Sequence, residues 1–220
     1  MYSNAAKKKG IIFDMDNTLL QSSIDFAEMK KAIFELLVQS ELVDPGFDYA
    51  AYTASQLIEL GRTSDRFHSE AETAMWDVVV AYESAGMDGA TLEEGAAEVL
   101  ETLQQHYTLV ILTNNARIAA LKALEETGII HHFDLIVGRE QMDMLKPSPS
   151  GIHYILDRYV QIPADRWVMV GDSWIDGKAA QDGGVPFIAY RAKQQDMHFH
   201  EVVPAAYIQH LRELLAYLHK

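Results

Sequence analysis

Five short apolar segments alternate with amphipathic stretches along this chain, and such alternation is typical of an α/β protein built on a parallel sheet. The candidate strands are GIIFD (10–14), TLVILT (108–113), DLIVG (134–138), RWVMVGD (166–172) and VPFIAY (185–190). Each segment ends at or beside polar residues. Because ligands of open parallel sheets bind outside the carboxyl ends of the strands, these polar residues are candidates for a functional site.

Two of the stretches between the strands carry helix signals. TLEEGAAEVLETLQQ opens with Thr91 and Glu94 at the spacing of a capping box, and ARIAALKALEETG ends at Gly128, a usual helix terminator. The tail repeats apolar residues at helical spacing, which predicts one stripe of a C-terminal helix. These residues are Ile208, Leu211, Leu214, Leu215 and Leu218.

The segment between the first two strands is too long for a single crossover helix. It spans about 70 residues and contains no convincing strand. FAEMKKAIFELLV and RFHSEAETAMWDVVVAYESAG both place apolar residues at helical spacing. We therefore predict a small helical domain at residues 21–90, inserted into an α/β domain formed by residues 1–20 and 91–220. With 4 bases and 13 acids, residues 21–90 carry a net charge of -9.

The composition argues against several classes of protein. The 220 residues are 49% hydrophobic and carry a net charge of -14, which repels nucleic acid and anionic lipid. Because cysteine is absent, disulfides, thiolate metal sites and cysteine nucleophiles are excluded. No apolar run approaches the roughly 18 residues of a membrane span, and the N-terminus lacks the apolar stretch of a signal peptide. We expect a cytoplasmic monomer or homodimer with no nucleic-acid or membrane partner.

Acidic residues follow the first and fourth candidate strands. Asp14 and Asp16 come at the end of the first strand, and Asp172 and Asp176 come at the end of the fourth. Two like charges about 4 Å apart cost roughly 4 kcal/mol at an effective dielectric constant near 20, so such a cluster needs cations or protons. A hard divalent ion that prefers oxygen ligands meets this need, and Mg²⁺ is the favoured candidate.

Other polar residues are expected at the same edge of the sheet. Thr113 ends the second strand and is followed by Asn114 and Asn115, while Lys146 lies in the turn LKPSPSG. Each residue alone has an ordinary structural explanation, because polar residues after a strand often cap a helix or turn and a lone lysine is usually solvated. Only their combination with the acidic residues indicates a functional site.

The same residues resemble the motifs of the haloacid dehalogenase-like superfamily. DMDNT matches the DxDx[TV] signature of that family, and ILTNN, LKPSP and VGDSWIDGKAA match its second, third and fourth motifs in the family's order. Together they cover most of the α/β domain. The resemblance implies a Rossmann-like core with strand order 5-4-1-2-3, and the inserted segment resembles the helical cap of the phosphoglycolate phosphatase-like branch.

The resemblance also implies a role for each acidic residue. Asp14 would attack the phosphorus atom of a substrate and form an aspartyl-phosphate. Asp16 would protonate the departing alcohol and later take a proton from the hydrolytic water. The backbone carbonyl of Asp16 would bind Mg²⁺ together with Asp14 and Asp172. Asp176 would be a further metal ligand or would hold a ligand in place.

Phosphate binding is expected from the second and third motifs. Thr113 offers a hydroxyl donor, and the backbone amides of Asn114 and Asn115 offer an anion-binding site. Lys146 would screen the phosphate charge and keep Asp14 ionised. In the inserted segment, Arg62 of ELGRTSD is the candidate for a substrate contact, although a solvated surface arginine is the more common outcome. The histidine pairs at 131/132 and 198/200 are interpreted as surface or structural residues.

These observations predict a Mg²⁺-dependent phosphatase that acts on a small phosphorylated metabolite, with phosphoglycolate as the named candidate. A sugar phosphomutase of the same superfamily would use the same aspartates and is the main alternative among enzymes. A nucleotidase also stays open, whereas a dehalogenase is disfavoured because halide departure needs no acid such as Asp16. The alternative from another class is a catalytically inactive protein that binds a phosphorylated metabolite.

Overall fold

The structure is a computed structural model that describes residues 9–218. These residues form two compact units. The smaller unit is Ser23–Gly89, and the larger one comprises the described residues up to Ser22 together with those from Ala90 onward.

The described part of the larger unit contains eight strands. They are β1 (Gly10–Phe13), β2 (Leu20–Gln21), β3 (Thr91–Leu92), β4 (Thr108–Leu112), β5 (Leu135–Val137), β6 (Trp167–Gly171), β7 (Phe187–Tyr190) and β8 (Ala206–Ile208). Six of them form a parallel sheet in the order β5-β4-β1-β6-β7-β8. The predicted α/β fold is confirmed: the five predicted strands lie in the order 5-4-1-2-3, and β8 adds a sixth strand beside the fifth.

The centre of this sheet is completely buried. Every residue of β1, β4 and β6 is buried, which is typical of parallel strands and explains why each reads as a nearly continuous apolar run. Phe13, the last residue of β1, lies opposite Ile111 of β4 and Val170 of β6. The carboxyl ends of three strands that are distant in sequence therefore lie side by side.

The two remaining strands form a short ribbon where the chain passes between the units. β2 and β3 pair antiparallel, with Leu20 opposite Leu92 and Gln21 opposite Thr91. The first stretch of the larger unit ends one residue after β2, and its second stretch begins one residue before β3. The points at which the inserted segment leaves and rejoins the larger unit are therefore adjacent.

The helices of the smaller unit are α1 (Phe26–Gln39), α2 (Ala54–Arg62) and α3 (Ser69–Met87). Those of the larger unit are α4 (Ala96–Leu103), α5 (Arg117–Glu126), α6 (Ser150–Arg158), α7 (Trp174–Asp182), α8 (Gln194–Phe199) and α9 (Glu213–Leu218). Within residues 9–218, no helix combines the length and the apolar character needed to cross a membrane.

The smaller unit has its own apolar core. Met29, Ile33 and Leu37 of α1 pack with Leu57 of α2 and Met75 of α3. The helical spacing of these residues in α1 and α3 is what predicted the two helices. α2 was not predicted, although its N-terminus carries a signal: Thr53 and Gln56 form a capping box, in which each side chain accepts from the other residue's backbone amide.

Two of the predicted helix features are wrong, whereas a third is confirmed. Thr91 pairs in β3 instead of capping a helix with Glu94, and α4 begins at Ala96 with no side-chain cap. The predicted C-terminal stripe is interrupted, because Ile208 ends β8 opposite Tyr190 and α9 begins only at Glu213. Short apolar segments do not distinguish a strand from a helix by periodicity alone. Helix α5 does end just before Gly128, which has a φ of +76°.

Candidate active site

The carboxyl edge of the sheet brings the predicted polar residues together. Asp14 follows β1 directly and extends its ladder, since its amide donates to the Val170 carbonyl at 2.9 Å. Thr113 follows β4 and Asp172 follows β6, the two strands that flank β1. Asp14 thus occupies the central position of the site, and it is only 7% exposed.

Lys146 joins two of the carboxylates. Its ammonium nitrogen lies 2.6 Å from Asp14 Oδ1, 2.7 Å from Asp176 Oδ1 and 2.9 Å from the Leu112 carbonyl oxygen, so all three of its protons have acceptors. The lysine is 1% exposed. Burial by itself lowers the pKa of Lys146, but the carboxylates of Asp14 and Asp176 outweigh it and raise the pKa above the ordinary value. The ammonium is therefore charged and neutralises part of the acidic cluster.

Asn114 holds the backbone of Lys146 in place. Its side-chain nitrogen donates to the Lys146 carbonyl at 3.0 Å, and its side-chain oxygen accepts from the Lys146 amide at 2.9 Å. This reciprocal pair ties the segment after β4 to the turn that carries the lysine. The side chain of Asn114 is thus a positioning group, and phosphate binding by its backbone amide stays a prediction.

Asp16 is buried, and its two carboxylate oxygens have different surroundings. Its Oδ2 accepts from Asn115 Nδ2 at 2.7 Å, whereas Oδ1 has no hydrogen-bond partner among the residues that the structure describes. Burial and the nearby Asp14 carboxylate raise the pKa of Asp16 from 3.8 to about 7. An aspartate of this kind can hold a proton near neutral pH, which is what a general acid requires.

Asp176 is almost completely enclosed. Its Oδ1 accepts from Lys146, and its Oδ2 accepts from the Ser173 amide at 3.1 Å at the N-terminus of α7. Gly171 makes room for this carboxyl group, because a Cβ atom at that position would lie 2.6 Å from Asp176 Cγ. The aspartate therefore orients Lys146 and caps the helix, and both functions depend on a glycine at the end of β6.

Two hydroxyl groups complete the surroundings of Asp14. The Thr18 hydroxyl donates to Asp14 Oδ2 at 3.2 Å. The Thr113 side chain is 1% exposed, and its oxygen accepts from the Asn115 amide at 3.1 Å. This bond makes Thr113 a turn-forming residue at the end of β4. The Asn115 amide, which was expected to bind an anion, already has an acceptor. Thr113 does not cap α5, which begins at Arg117 without a side-chain cap.

The acidic groups fit a divalent metal ion. One carboxylate oxygen each from Asp14, Asp172 and Asp176 lies within 4.8 Å of the other two. Opposite ligands of an octahedral Mg²⁺ site lie roughly 4 Å apart, so oxygens at this spacing can share one ion. The half-buried Asp172 has a raised pKa because of burial and the neighbouring carboxylates of Asp14 and Asp176. A cation would relieve this repulsion.

The weaker sequence candidates have partners of their own. Arg62 is the last residue of α2, and its guanidinium pairs with Glu59 and Glu72 within the smaller unit. The structure thus gives Arg62 intramolecular partners, while its contact with a substrate stays a prediction. His200 stacks on Trp174 with ring centroids 3.5 Å apart, and His132 Nδ1 is paired with Gln104 Oε1. Both interactions give these histidines a structural role.

Sequence reasoning missed the contact between Asn115 and Asp16. These residues are 99 positions apart in the chain, and Asn115 had been interpreted only through its backbone amide. Its side chain instead fixes the orientation of the Asp16 carboxyl group. The NN pair after the second strand was the available signal, since one asparagine faces Lys146 and the next faces Asp16.

Comparison with known proteins identifies the family of this chain. The profile of the haloacid dehalogenase-like hydrolase family matches residues 11–190. A phosphoglycolate phosphatase of Photobacterium profundum is 31% identical over 79% of this chain and 79% of its own length. A second phosphoglycolate phosphatase, from Chromobacterium violaceum, is 30% identical over 82% of this chain and 84% of its own length.

Solved structures share the fold. A haloacid dehalogenase-like hydrolase from Streptococcus pneumoniae superposes with a TM-score of 0.65 at 21% identity, covering 96% of this chain and 99% of its own. The HAD-hydrolase YfnB of Bacillus subtilis, in a structure bound to magnesium, gives a TM-score of 0.63 at 22% identity and covers 97% of this chain and 100% of its own.

Proposed function

Because this chain belongs to the haloacid dehalogenase-like hydrolase family, we propose that it is a Mg²⁺-dependent phosphatase that hydrolyses a small phosphate monoester through an aspartyl-phosphate. The observation that carries the proposal is the placement of Asp14. It is buried at the centre of the sheet edge, its Oδ1 is paired with Lys146, and the Asp172 carboxylate lies within reach of a shared cation.

Asp14 is the nucleophile of the proposed reaction. One of its carboxylate oxygens forms the new bond to phosphorus while the bond between phosphorus and the leaving-group oxygen breaks. The Lys146 ammonium donates to Asp14 Oδ1, and the Thr18 hydroxyl donates to Oδ2, so the two bonds fix the rotation of the carboxyl group. Water then attacks the aspartyl-phosphate and releases inorganic phosphate together with the free carboxylate.

Asp16 transfers a proton in each of the two steps. Because its pKa is raised to about 7, it can give a proton to the leaving alkoxide in the first step. It then takes a proton from the attacking water in the second step. Asn115 holds Oδ2, and the unpartnered Oδ1 is the oxygen assigned to proton transfer.

The metal would be held by Asp14, by Asp172 and by the backbone carbonyl of Asp16. When bound, Mg²⁺ lowers the repulsion between an anionic nucleophile and an anionic phosphate. Asp176 is assigned to orienting Lys146, since its two oxygens already accept from Lys146 and from the Ser173 amide. The Thr113 hydroxyl and the Asn114 amide would bind the phosphate oxygens, and the positive charge of Lys146 would screen the phosphate charge.

Phosphoglycolate is the proposed substrate, on the strength of the two relatives at 30% and 31% identity. The helical segment, at residues 21–90, is proposed to act as a cap that contacts the non-phosphate part of the substrate, with Arg62 as a candidate contact. A cytoplasmic monomer or homodimer stays the expectation from the sequence. A sugar phosphomutase remains the alternative, because it would use the same aspartates.

The experiment is a release assay for inorganic phosphate. The full chain is incubated with phosphoglycolate, p-nitrophenyl phosphate, sugar phosphates and nucleotides, in Mg²⁺ or in EDTA. Phosphate release that requires Mg²⁺ supports the proposal, and the preferred compound identifies the substrate. Isomerised sugar phosphate without net release would establish a mutase. Binding of a phosphorylated metabolite without any turnover would favour the inactive binding protein.

A further inference from the structure

Glu93 is a buried acid that the proposed chemistry does not use. It directly follows β3 and is 6% exposed. A single oxygen, Oε2, accepts from the Tyr190 hydroxyl at 2.9 Å and from Arg191 Nη1 at 2.9 Å. Both partners lie at the carboxyl end of β7, on the same edge of the sheet as Asp14. The chain therefore places a second charged cluster at this edge.

The partners of Glu93 are themselves held firmly. Tyr190 is fully buried, and burial followed by its hydrogen bond to Glu93 raises the pKa of the phenol, so the hydroxyl stays protonated and can donate. The Arg191 amide donates to the Ile208 carbonyl at 2.9 Å, and Arg191 Nε donates to the Gln209 carbonyl at 3.1 Å. The carboxylate of Glu93 is thus attached to β7 and to the end of β8.

The backbone of Glu93 is bonded to the loop that carries Asp16. The Glu93 amide donates to the Leu19 carbonyl at 2.8 Å. The amides of Leu19 and Leu20 in turn donate to the Met15 carbonyl at 2.9 and 3.0 Å, and Leu20 also bridges to Asp16. Residues 15–20 therefore form a tight turn, and Glu93 holds one side of it.

Stability alone does not require a carboxylate at this position. A buried carboxylate costs free energy through desolvation, and an apolar residue of similar volume is often as stabilising as a buried ion pair. An apolar residue could not, however, accept hydrogen bonds from the Tyr190 hydroxyl and from Arg191. The two directional hydrogen bonds define the position of the segment after β3, whereas an apolar contact would allow that segment to shift.

We propose that Glu93 is a positioning residue for proton transfer: it anchors the turn of residues 15–20 to the end of β7 and thereby fixes Asp16 relative to the leaving group. This inference rests on the proposed phosphatase function and deepens it. Asp14 is held by its backbone bond beside β1 and by Lys146. Loss of the Glu93 side chain should therefore displace Asp16, the general acid, more than Asp14, the nucleophile.

The first test compares two leaving groups. An alkyl phosphate needs a proton on its departing oxygen, whereas p-nitrophenol departs as a stable anion. kcat/KM isolates the first step, because it covers the reaction only up to departure of the leaving group. In Glu93→Ala we expect kcat/KM for the alkyl phosphate to fall about tenfold or more and kcat/KM for p-nitrophenyl phosphate to fall less than about threefold. Glu93→Gln keeps an oxygen that accepts from both donors and should recover most of the lost rate. Glu98→Gln, which removes an exposed ion pair with Arg212, is the matched control and should change neither rate.

The second test does not depend on activity. Hydrogen exchange is measured on the peptide that contains residues 15–20, and it should be faster in Glu93→Ala than in wild type and unchanged in Glu98→Gln. Equal losses of both rates in proportion to the folded fraction, or unchanged exchange in that peptide, would overturn the proposal. If the wild-type protein hydrolyses no phosphate ester, the phosphatase proposal fails, and hydrogen exchange still decides whether Glu93 anchors the turn.

Discussion

Lys146 and Asp14 form a buried ion pair of 2.6 Å although they are 132 positions apart in the chain. The same ammonium pairs with Asp176, so one cation is shared by two carboxylates. This arrangement partly offsets the repulsion expected from the acidic cluster before any metal binds. It also gives the lysine a structural role, since both carboxylates are buried.

Replacing Lys146 should destabilise the protein strongly. Lys146→Met leaves the carboxylates of Asp14 and Asp176 buried without their cation, and removal of one partner of a buried pair typically costs about 3–5 kcal/mol. Urea unfolding at neutral pH measures this loss. Lys178→Met removes an exposed pair with Asp182 and should cost less than about 1 kcal/mol. Equal costs for the two variants would contradict the role given to Lys146.

Replacing the nucleophile should abolish turnover without unfolding the protein, because Lys146 keeps its second carboxylate partner, Asp176. Asp14→Asn keeps the size of the side chain but removes the charge that attacks phosphorus, so we expect kcat to fall by about 10³-fold or more. Circular dichroism and thermal unfolding serve as the folding controls. Retention of more than roughly a tenth of the wild-type rate would mean that another group attacks the substrate.

The metal-free protein should lose stability as the pH rises. The pKa of Asp16 is about 7 in the folded state and the ordinary value is 3.8, so between these values the folded state binds a proton that the unfolded state has released. This stabilising contribution is therefore complete below about pH 4 and is lost as the pH rises towards 7. The raised pKa of Asp172 acts in the same direction.

Thermal unfolding in EDTA at several pH values measures this effect. We expect the Tm of the wild-type protein to fall more steeply with pH than that of Asp16→Asn, which cannot titrate at this position. Excess Mg²⁺ should flatten the wild-type curve, because the ion replaces the protons as the neutralising charge. A wild-type curve in EDTA that is no steeper than the Asp16→Asn curve would contradict the raised pKa.

Enlarging Gly171 should damage the site although no charged residue is replaced. In Gly171→Ala the new Cβ atom would lie 2.6 Å from the Asp176 carboxyl carbon, so Asp176 must move away from Lys146 and from the Ser173 amide. Overpacking of this kind costs about 1–3 kcal/mol, and we expect kcat to fall together with stability. Gly46→Ala meets only the exposed side chain of Asp44 and is the control. Unchanged stability and rate would show that the carboxyl group is not confined.

The strand ends were predictable because they depend on local pattern. Apolar runs identified the central strands, and the register of a parallel sheet then brought Asp14, Thr113 and Asp172 to one edge. The contacts of Asn115 with Asp16 and of Glu93 with Tyr190 join residues 99 and 97 positions apart. The NN pair marks Asn115 as a polar residue near the site, but the local sequence does not identify the partner of Asn115 or of Glu93, since both contacts depend on how loops pack after the sheet has formed.

The errors in the helix predictions have a related cause. Thr91 and Glu94 have the spacing of a capping box, but pairing between Thr91 and Gln21 across the ribbon overrides that local preference. Ile208 fits a helical stripe equally well, yet it completes an edge strand beside β7. In both cases a contact with a distant segment decided the local structure.

The β2–β3 ribbon makes the architecture modular. Gln21 lies opposite Thr91, so the inserted segment begins and ends at neighbouring points of the ribbon. The pairing of the sheet strands therefore does not depend on the length of the segment between Gln21 and Thr91. A two-residue Asn-Gly turn could close the ribbon into a hairpin. The same junction could accept a different inserted segment while the edge that carries Asp14 is left as it is. If the helical segment contacts the substrate as proposed, such an exchange would alter substrate preference.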